Sequence, residues 1–190
     1  MRVALALCGL LMLTDVTATG ELKFEMYTGP ERALGPNSVL VTGAHDALLI
    51  DAQFLNGDAQ KLVELIKATG KNLTTVLITH AHPDHYFGLG VIRAAFPQAT
   101  VLAREPVRRI IGNEFPAKRV HWQELYAGEI PMAMTAPEAL VGDTLNFDGH
   151  AIKIVDLGIC ETVDATAFYF LLIYSSALLR RGRKKLPSIH

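Results

Sequence analysis

The sequence predicts a fold of the mixed α/β (α+β) class, and three observations support this. Its 190 residues are 50% hydrophobic and 19% charged, a balance that suits one sizeable buried core and excludes an intrinsically disordered chain. Runs of β-branched residues alternate with runs that have apolar residues at helical spacing. No repeat, low-complexity tract or linker interrupts this alternation before residue 164. One globular domain is therefore expected.

The first half of that domain reads as strands around one helix. Two strands and a third that ends on Asp51 are followed by a helix with Gly70 positioned as its C-cap. The next run, LTTVLIT, is almost wholly apolar or β-branched, which suits a central strand covered on both faces. These predicted elements cover 22–27, 38–41, 46–50, 58–68 and 73–79.

The second half continues the alternation. A helix is predicted over 86–96 because Pro97 ends it, and a short strand follows at 100–102. From Glu105 to about Tyr126 we expect one or two helices, broken near Pro116 because proline lacks the N–H that a helix interior requires. Two further strands, over 143–147 and 152–155, are expected to form a hairpin.

The N-terminus resembles a secretory signal peptide. A single Arg2 precedes an apolar run from Val3 to Leu13 and an exit of small and polar residues, whereas a membrane span needs about 20 apolar residues. We expect residues 1–20 to be removed on export, giving a secreted or periplasmic protein; a buried first strand or helix is the alternative. Without them Cys160 is the only thiol, so no intramolecular disulfide is expected.

The formal net charge of −1 gives no electrostatic reason to expect nucleic acid or an anionic membrane as partner. The partner should instead be a small-molecule substrate that is recognised at a local site.

The stretch THAHPDHYFG is the strongest candidate for such a site. It places His80, His82, Asp84 and His85 directly after the predicted central strand, in a chain with only 7 histidines. Loops at strand ends hold side chains on a rigid support, and neutral imidazoles with a carboxylate are ligands that Zn²⁺ accepts. The spacing therefore predicts a metal site for one or two ions. The alternative is a set of solvated loop histidines or helix-capping residues.

This motif, HxHxDH after TTVLIT, resembles the signature of the metallo-β-lactamase superfamily, and NSVLVTGAHDALLIDAQF upstream resembles that family's paired strands ending on an aspartate. The resemblance runs from about Leu22 to Tyr169. It implies a metallo-β-lactamase-like αβ/βα sandwich over 21–169. It also implies that His80 and His82 bind a first zinc and that Asp84 and His85 bind a second.

The resemblance assigns roles to two aspartates. Asp84 would be the catalytic residue that helps orient the attacking water. Asp51 would support the ligands from the strand end, although a turn residue at the end of a strand is an equally good interpretation of its position.

The second half of the family's site has no counterpart in this sequence. Ile159 or a near neighbour stands where family members supply a third histidine to the first metal, and the bridging aspartate and last histidine are absent. Cys160 and Glu161 lie in that segment, and both side-chain types bind zinc. For Cys160, a small buried residue is the simpler interpretation.

The segment 170–190 differs from what precedes it. No acidic residue follows Asp164, and five basic residues cluster between Arg180 and Lys185. We expect a truncated or frame-shifted family member whose fold is incomplete at the C-terminus. A solvated basic tail and a dedicated binding tail are the alternatives, and the apolar run before the cluster is too short for a stable membrane span.

Two functions follow from these observations. In the first, the chain is a zinc-dependent hydrolase in which a metal-bound hydroxide attacks a carbonyl or other ester-like centre. In the second, it is a non-catalytic family member that retains only a metal-binding loop. Because an incomplete sheet would expose an edge and apolar surface, self-association is also expected.

Overall fold

A computed structural model describes residues 20–159 and 162–170. The predicted signal peptide, Cys160, Glu161 and the segment from residue 171 onward lie outside the described residues. Their predictions are neither confirmed nor contradicted by the fold.

The larger sheet holds the predicted metal loop at one of its edges. Its six strands are β1 (Lys23–Thr28), β2 (Asn37–Thr42), β3 (Asp46–Ile50), β4 (Asn72–Leu77), β5 (Thr100–Ala103) and β6 (Glu138–Ala139). They follow one another in chain order, with antiparallel pairing from β1 to β3 and parallel pairing from β3 to β6. The carboxyl ends of β3, β4 and β5 therefore lie along the same edge.

The helices of the described residues cover one face of this sheet. All four contribute buried apolar side chains to one cluster with the strands, among them Leu62, Tyr86, Ile92 and Phe115. They are α1 (Asn56–Ala68), α2 (Pro83–Tyr86), α3 (Leu89–Ala95) and α4 (Glu105–Gln123), and a 3-10 turn lies at Glu31–Ala33.

A second, antiparallel sheet packs on the opposite face. It contains β7 (Thr144–Phe147), β8 (His150–Gly158) and β9 (Ala165–Phe170). Leu48 and Leu77 of the larger sheet share a buried apolar cluster with Phe147 and Ile152. The layer order is helices, sheet, sheet, which confirms the predicted α/β class.

Two predicted helices were wrong in detail. The helix expected to break near Pro116 continues from Glu105 to Gln123 with this proline inside it. Proline in a helix interior costs about 3 kcal/mol, and burial of Ile111 and Phe115 on the sheet offsets part of that cost.

The helix predicted over 86–96 is two helices, α2 and α3, with Gly88 between them. A Cβ at Gly88 would lie 2.0 Å from the Ala52 carbonyl oxygen, so the chain passes close to the end of β3 at this point. The strands β6 and β9 were not predicted.

Within the described residues no helix has the length and apolar character needed to cross a membrane. Self-association stays a prediction; large apolar side chains such as Met26, Met132 and Val141 are exposed in the described chain.

Candidate metal site

The predicted ligand loop leaves the carboxyl end of β4 and enters α2 directly. His82 is the N-cap residue of α2, and Pro83 occupies the first turn, where its fixed φ suits a helix start. Two backbone bonds tie this segment to the end of β3: Ala52 N–H donates to the His85 carbonyl at 2.7 Å, and Gly88 N–H donates to the Gln53 carbonyl at 2.9 Å. The segment that follows β3 therefore holds the loop from one side.

The carboxylate of Asp51, just after β3, contacts several polar groups of the ligand loop. Asp51 is buried and has a positive φ of 60°. Oδ1 accepts the Thr79 N–H at 2.9 Å, and Oδ2 accepts the Thr79 hydroxyl at 2.7 Å. Oδ2 also lies 2.7 Å from His85 Nδ1. The predicted supporting role of Asp51 is consistent with these contacts.

The hydrogen-bond network assigns the protons on two histidines. An ionised carboxylate only accepts, so His85 Nδ1 carries the hydrogen that it shares with Asp51. The single Thr79 hydroxyl proton also goes to Asp51, so the Thr79 oxygen accepts from His80 Nδ1 at 2.8 Å. In the neutral ring of His80, Nε2 therefore keeps its lone pair, which is the form that binds a metal.

His80 Nε2 is a buried nitrogen with no hydrogen-bond partner in the described structure. Burial lowers the pKa of His80 below its ordinary value of 6.5, and the neighbouring His85 lowers it further. The ring is thus held neutral. Its centroid lies 4.7 Å from that of His82 and 4.0 Å from that of His85, so the three imidazoles form one group.

Asp84 lies at the rim of this group. Its Oδ2 is 3.5 Å from His85 Nε2, and both side chains are partly buried. Across residues 20–159 and 162–170, no three or more His, Cys, Asp or Glu side chains have donor atoms already converged on one point suited to a metal ion. Binding would therefore require side-chain rotation that draws the donors of the four predicted ligands together.

The second sheet meets the loop at the first predicted ligand. Thr166 N–H donates to the Thr79 carbonyl at 2.9 Å, and His80 forms an isolated antiparallel bridge with Ala165. The start of β9 therefore lies directly beside the ligand loop. Ile159 is 84% exposed in the turn between β8 and β9 and offers no donor atom from its side chain.

These residues suit a borderline cation such as zinc. A buried nitrogen with a lone pair and no partner is costly unless something binds it, and a metal ion would satisfy it. His80, His82 and His85 supply imidazoles and Asp84 a carboxylate, which match the ligand preferences of Zn²⁺. These four side chains are the ones that could hold the metal.

Sequence reasoning missed Thr79, which connects Asp51 to His80 through its hydroxyl and its N–H. A polar residue at the end of an otherwise apolar strand, adjacent to the first histidine, was the available signal.

Comparisons with known proteins agree with this fold. The profile of the metallo-beta-lactamase superfamily matches residues 32–163. The chain belongs to the metallo-β-lactamase superfamily.

Individual relatives match parts of the chain. A hydroxyacylglutathione hydrolase of Albidiferax ferrireducens is 36% identical over 80 residues, covering 40% of this chain and 30% of that protein. The uncharacterized protein YobT of Bacillus subtilis is 30% identical over 112 residues, covering 57% of this chain and 48% of that protein. The chain thus spans less than half the length of these curated relatives.

Solved structures share the fold. The B3 metallo-beta-lactamase BLEG-1 superposes with a TM-score of 0.55 at 19% identity, covering 79% of this chain and 67% of that chain. MEM-A1, a subclass B3 enzyme from a soil metagenome library, gives a TM-score of 0.57 at 19% identity, covering 81% of this chain and 56% of that chain.

Proposed function

We propose that this chain is a zinc-dependent hydrolase of metallo-β-lactamase type. The observation that carries the proposal is the buried, unpartnered Nε2 of His80. Its lone pair stays available because His80 Nδ1 donates to the Thr79 hydroxyl, which in turn donates to Asp51. Family membership supports the reaction class, since the matching region includes the whole loop.

The resemblance to the superfamily assigns the roles. His80 and His82 would hold a first zinc, and Asp84 and His85 a second where two ions bind. When bound, zinc supplies a Lewis acid and lowers the pKa of water toward neutrality. Asp84, at the partly exposed rim, would orient the attacking water by accepting a hydrogen bond from it. Asp51 holds the proton on His85 Nδ1 throughout.

The substrate class is a carbonyl or similar ester-like centre. One similar protein is a hydroxyacylglutathione hydrolase, and similar folds are those of metallo-beta-lactamases. A thioester and a β-lactam are therefore the first compounds to test. One fold hosts many reactions, so measured turnover of each compound must decide between the thioester and the β-lactam.

A non-catalytic role is the competing function, and one observation favours it. In the described part of the turn before β9, the exposed Ile159 stands where a third imidazole would be expected. A metal held by the loop alone would have fewer protein ligands and a weaker site.

Metal analysis with an activity screen separates the two. The full chain is loaded with zinc, dialysed, and assayed for bound metal and for hydrolysis of a thioester, a lactone and a β-lactam. Two tightly bound equivalents with turnover support the hydrolase. One weak equivalent without turnover of any substrate supports the non-catalytic protein and contradicts the proposal.

We also propose that the chain is exported, from the signal-like residues 1–20. Expression of the full chain in a bacterial host should give a periplasmic product whose N-terminus begins near residue 20. An intact Met1 on a cytoplasmic product would contradict export.

A further inference from the structure

Helix α4 carries a lysine on the face that it buries against the sheet. Val107, Ile111 and Phe115 follow one another at four-residue spacing, and all three are buried. Lys118 continues this stripe three residues later, and Trp122 follows after another four and packs against the same apolar cluster. Lysine is among the residues least often found at such positions. A lysine at such a position needs a hydrogen-bond or charge partner for its ammonium group.

Aromatic contacts bring this face of α4 to the ligand loop. The Phe115 ring lies 5.5 Å from that of Phe87 and 6.5 Å from that of Tyr86, measured between centroids. Tyr86 is the last residue of α2, the helix that begins within the loop. Phe115, one turn before Lys118 on α4, thus packs beside the loop, and this places Lys118 close to the loop as well.

The Lys118 ammonium makes two polar contacts at this junction. Nζ donates to the Ala81 carbonyl oxygen at 2.7 Å and lies 2.8 Å from Glu114 Oε2, one turn back on α4. Its side chain is 23% exposed, so the bond to the loop is largely shielded from water.

Ala81 separates the two histidines predicted to share a metal. Its carbonyl belongs to the peptide that joins it to His82, and a hydrogen bond to that oxygen restricts rotation of the peptide. His80 is fixed on the other side by its bridge to Ala165 and its bond to Thr79. Lys118 is therefore placed to fix the second histidine relative to the first.

We propose that Lys118 is a positioning residue for the metal loop, fixing the backbone of the His80–His82 segment from which both histidines would reach zinc. This inference rests on the proposed zinc site and goes beyond it, because Lys118 belongs to neither the ligand motif nor the strands that carry it. Glu114 offsets the positive charge of the ammonium, which reduces its repulsion of a bound cation.

The test compares zinc affinities by chelator competition in the full chain. Lys118→Met keeps most of the side-chain length and removes the donor. It should weaken zinc binding about 10-fold or more, the usual range for a partner that orients a ligand. Lys118→Arg should restore most of the loss. Lys61→Met is the matched control, since Lys61 pairs with Asp58 on α1, and it should bind zinc like the wild type.

A second measurement needs no variant. Nitrogen-15 NMR of the lysine ammonium groups should show slower hydrogen exchange for Lys118 than for Lys61, because the first is shielded and hydrogen-bonded to the loop. Equal, rapid exchange of both groups would overturn the inference even where Lys118→Met does not fold.

The remaining outcomes separate this inference from the proposed function. Zinc affinity of Lys118→Met within twofold of the wild type would overturn the positioning role and leave the zinc site standing. A wild-type chain that binds no zinc would overturn the proposed function and the positioning role together.

Discussion

Asp51 determines how two of the predicted metal ligands carry their protons. It contacts His85 directly and His80 through the Thr79 hydroxyl, so one buried carboxylate orients two imidazoles. Its positive φ, unusual outside glycine, is tolerated because backbone and side-chain bonds surround it. A residue outside the ligand motif thus orients two of the predicted ligands.

Substitution of Asp51 by asparagine should weaken zinc binding about 10–100-fold, because an amide has one acceptor oxygen where the carboxylate has two. Its NH2 group would face either the Thr79 N–H or the Thr79 hydroxyl and the His85 N–H, so that donor would meet donor. Chelator competition measures the change. Asp58→Asn is the control, since Asp58 is also buried but bonds Tyr27 and Lys61 outside the loop. Equal affinities for wild type and Asp51→Asn would exclude this orienting role.

Tyr86 differs from Asp51 because its buried hydroxyl has no hydrogen-bond partner in the described structure. Burial raises the pKa of the phenol well above 10, and the charge of Glu114 adds to this. An unsatisfied buried group costs about 1–3 kcal/mol, so Tyr86→Phe should keep or increase the free energy of unfolding, by up to about 1 kcal/mol.

Urea unfolding of the metal-free chain checks that prediction. Tyr27→Phe is the control, because the Tyr27 hydroxyl donates to Asp58 at 3.0 Å and its removal should cost about 1 kcal/mol. A Tyr86→Phe chain that loses as much as the Tyr27 variant would mean that the Tyr86 hydroxyl has a partner.

At the scale of the elements, the segment between α2 and α3 passes close to the end of β3. Gly88 lies there because a side chain has no room: its Cβ would be 2.0 Å from the Ala52 oxygen and 2.7 Å from the Ala59 Cβ. The first atom belongs to the backbone and the second is a buried methyl group, so neither can move away without a shift of the packed chain around it.

Gly88→Ala should therefore lower the free energy of unfolding by about 2 kcal/mol or more. The matched control is Gly112→Ala in α4, where nothing lies within 4 Å of the added Cβ. There the substitution should stabilise by about 0.5–1 kcal/mol, since alanine favours the helix. Thermal unfolding of both variants gives the comparison, and a Gly88 variant as stable as the wild type would contradict the close approach.

Sequence patterns predicted the elements that local rules govern. The run LTTVLIT and the spacing of His80, His82, Asp84 and His85 were enough to place a polar cluster at the end of a buried strand. They could not predict β9, which is fixed at its start by a non-local bond from Thr166 to Thr79. The continuity of α4 through Pro116 was missed for the same reason, because burial of the helix against the sheet outweighs a local preference.

At the scale of the whole molecule, one arginine joins the two sheets near the site. Arg104 follows β5 and forms a two-pronged pair with Asp156 of β8, at 2.8 and 2.6 Å. It also donates to the carbonyls of Leu140 and Gly142. A planar guanidinium is suited to this set, which a lysine could not reproduce.

Arg104→Met should lower the free energy of unfolding by about 1–2 kcal/mol, a value reduced because Asp156 is more than half exposed. Arg32→Met is the control: its pair with Glu129 is exposed on both sides, so no measurable change is expected. If both variants unfold like the wild type, the pair contributes nothing to holding the sheets together.

Zinc binding by the metal-free chain tests the central claim most directly, namely that the His80–His85 loop holds a metal. Calorimetric titration compares the wild type with His82→Ala, and His45→Ala, in the turn between β2 and β3, serves as the control. If the loop holds the metal, the wild type and the control should bind zinc tightly, and the zinc affinity of His82→Ala should be at least about 100-fold lower. Zinc binding that is unchanged in His82→Ala would contradict the assignment of the metal to this loop.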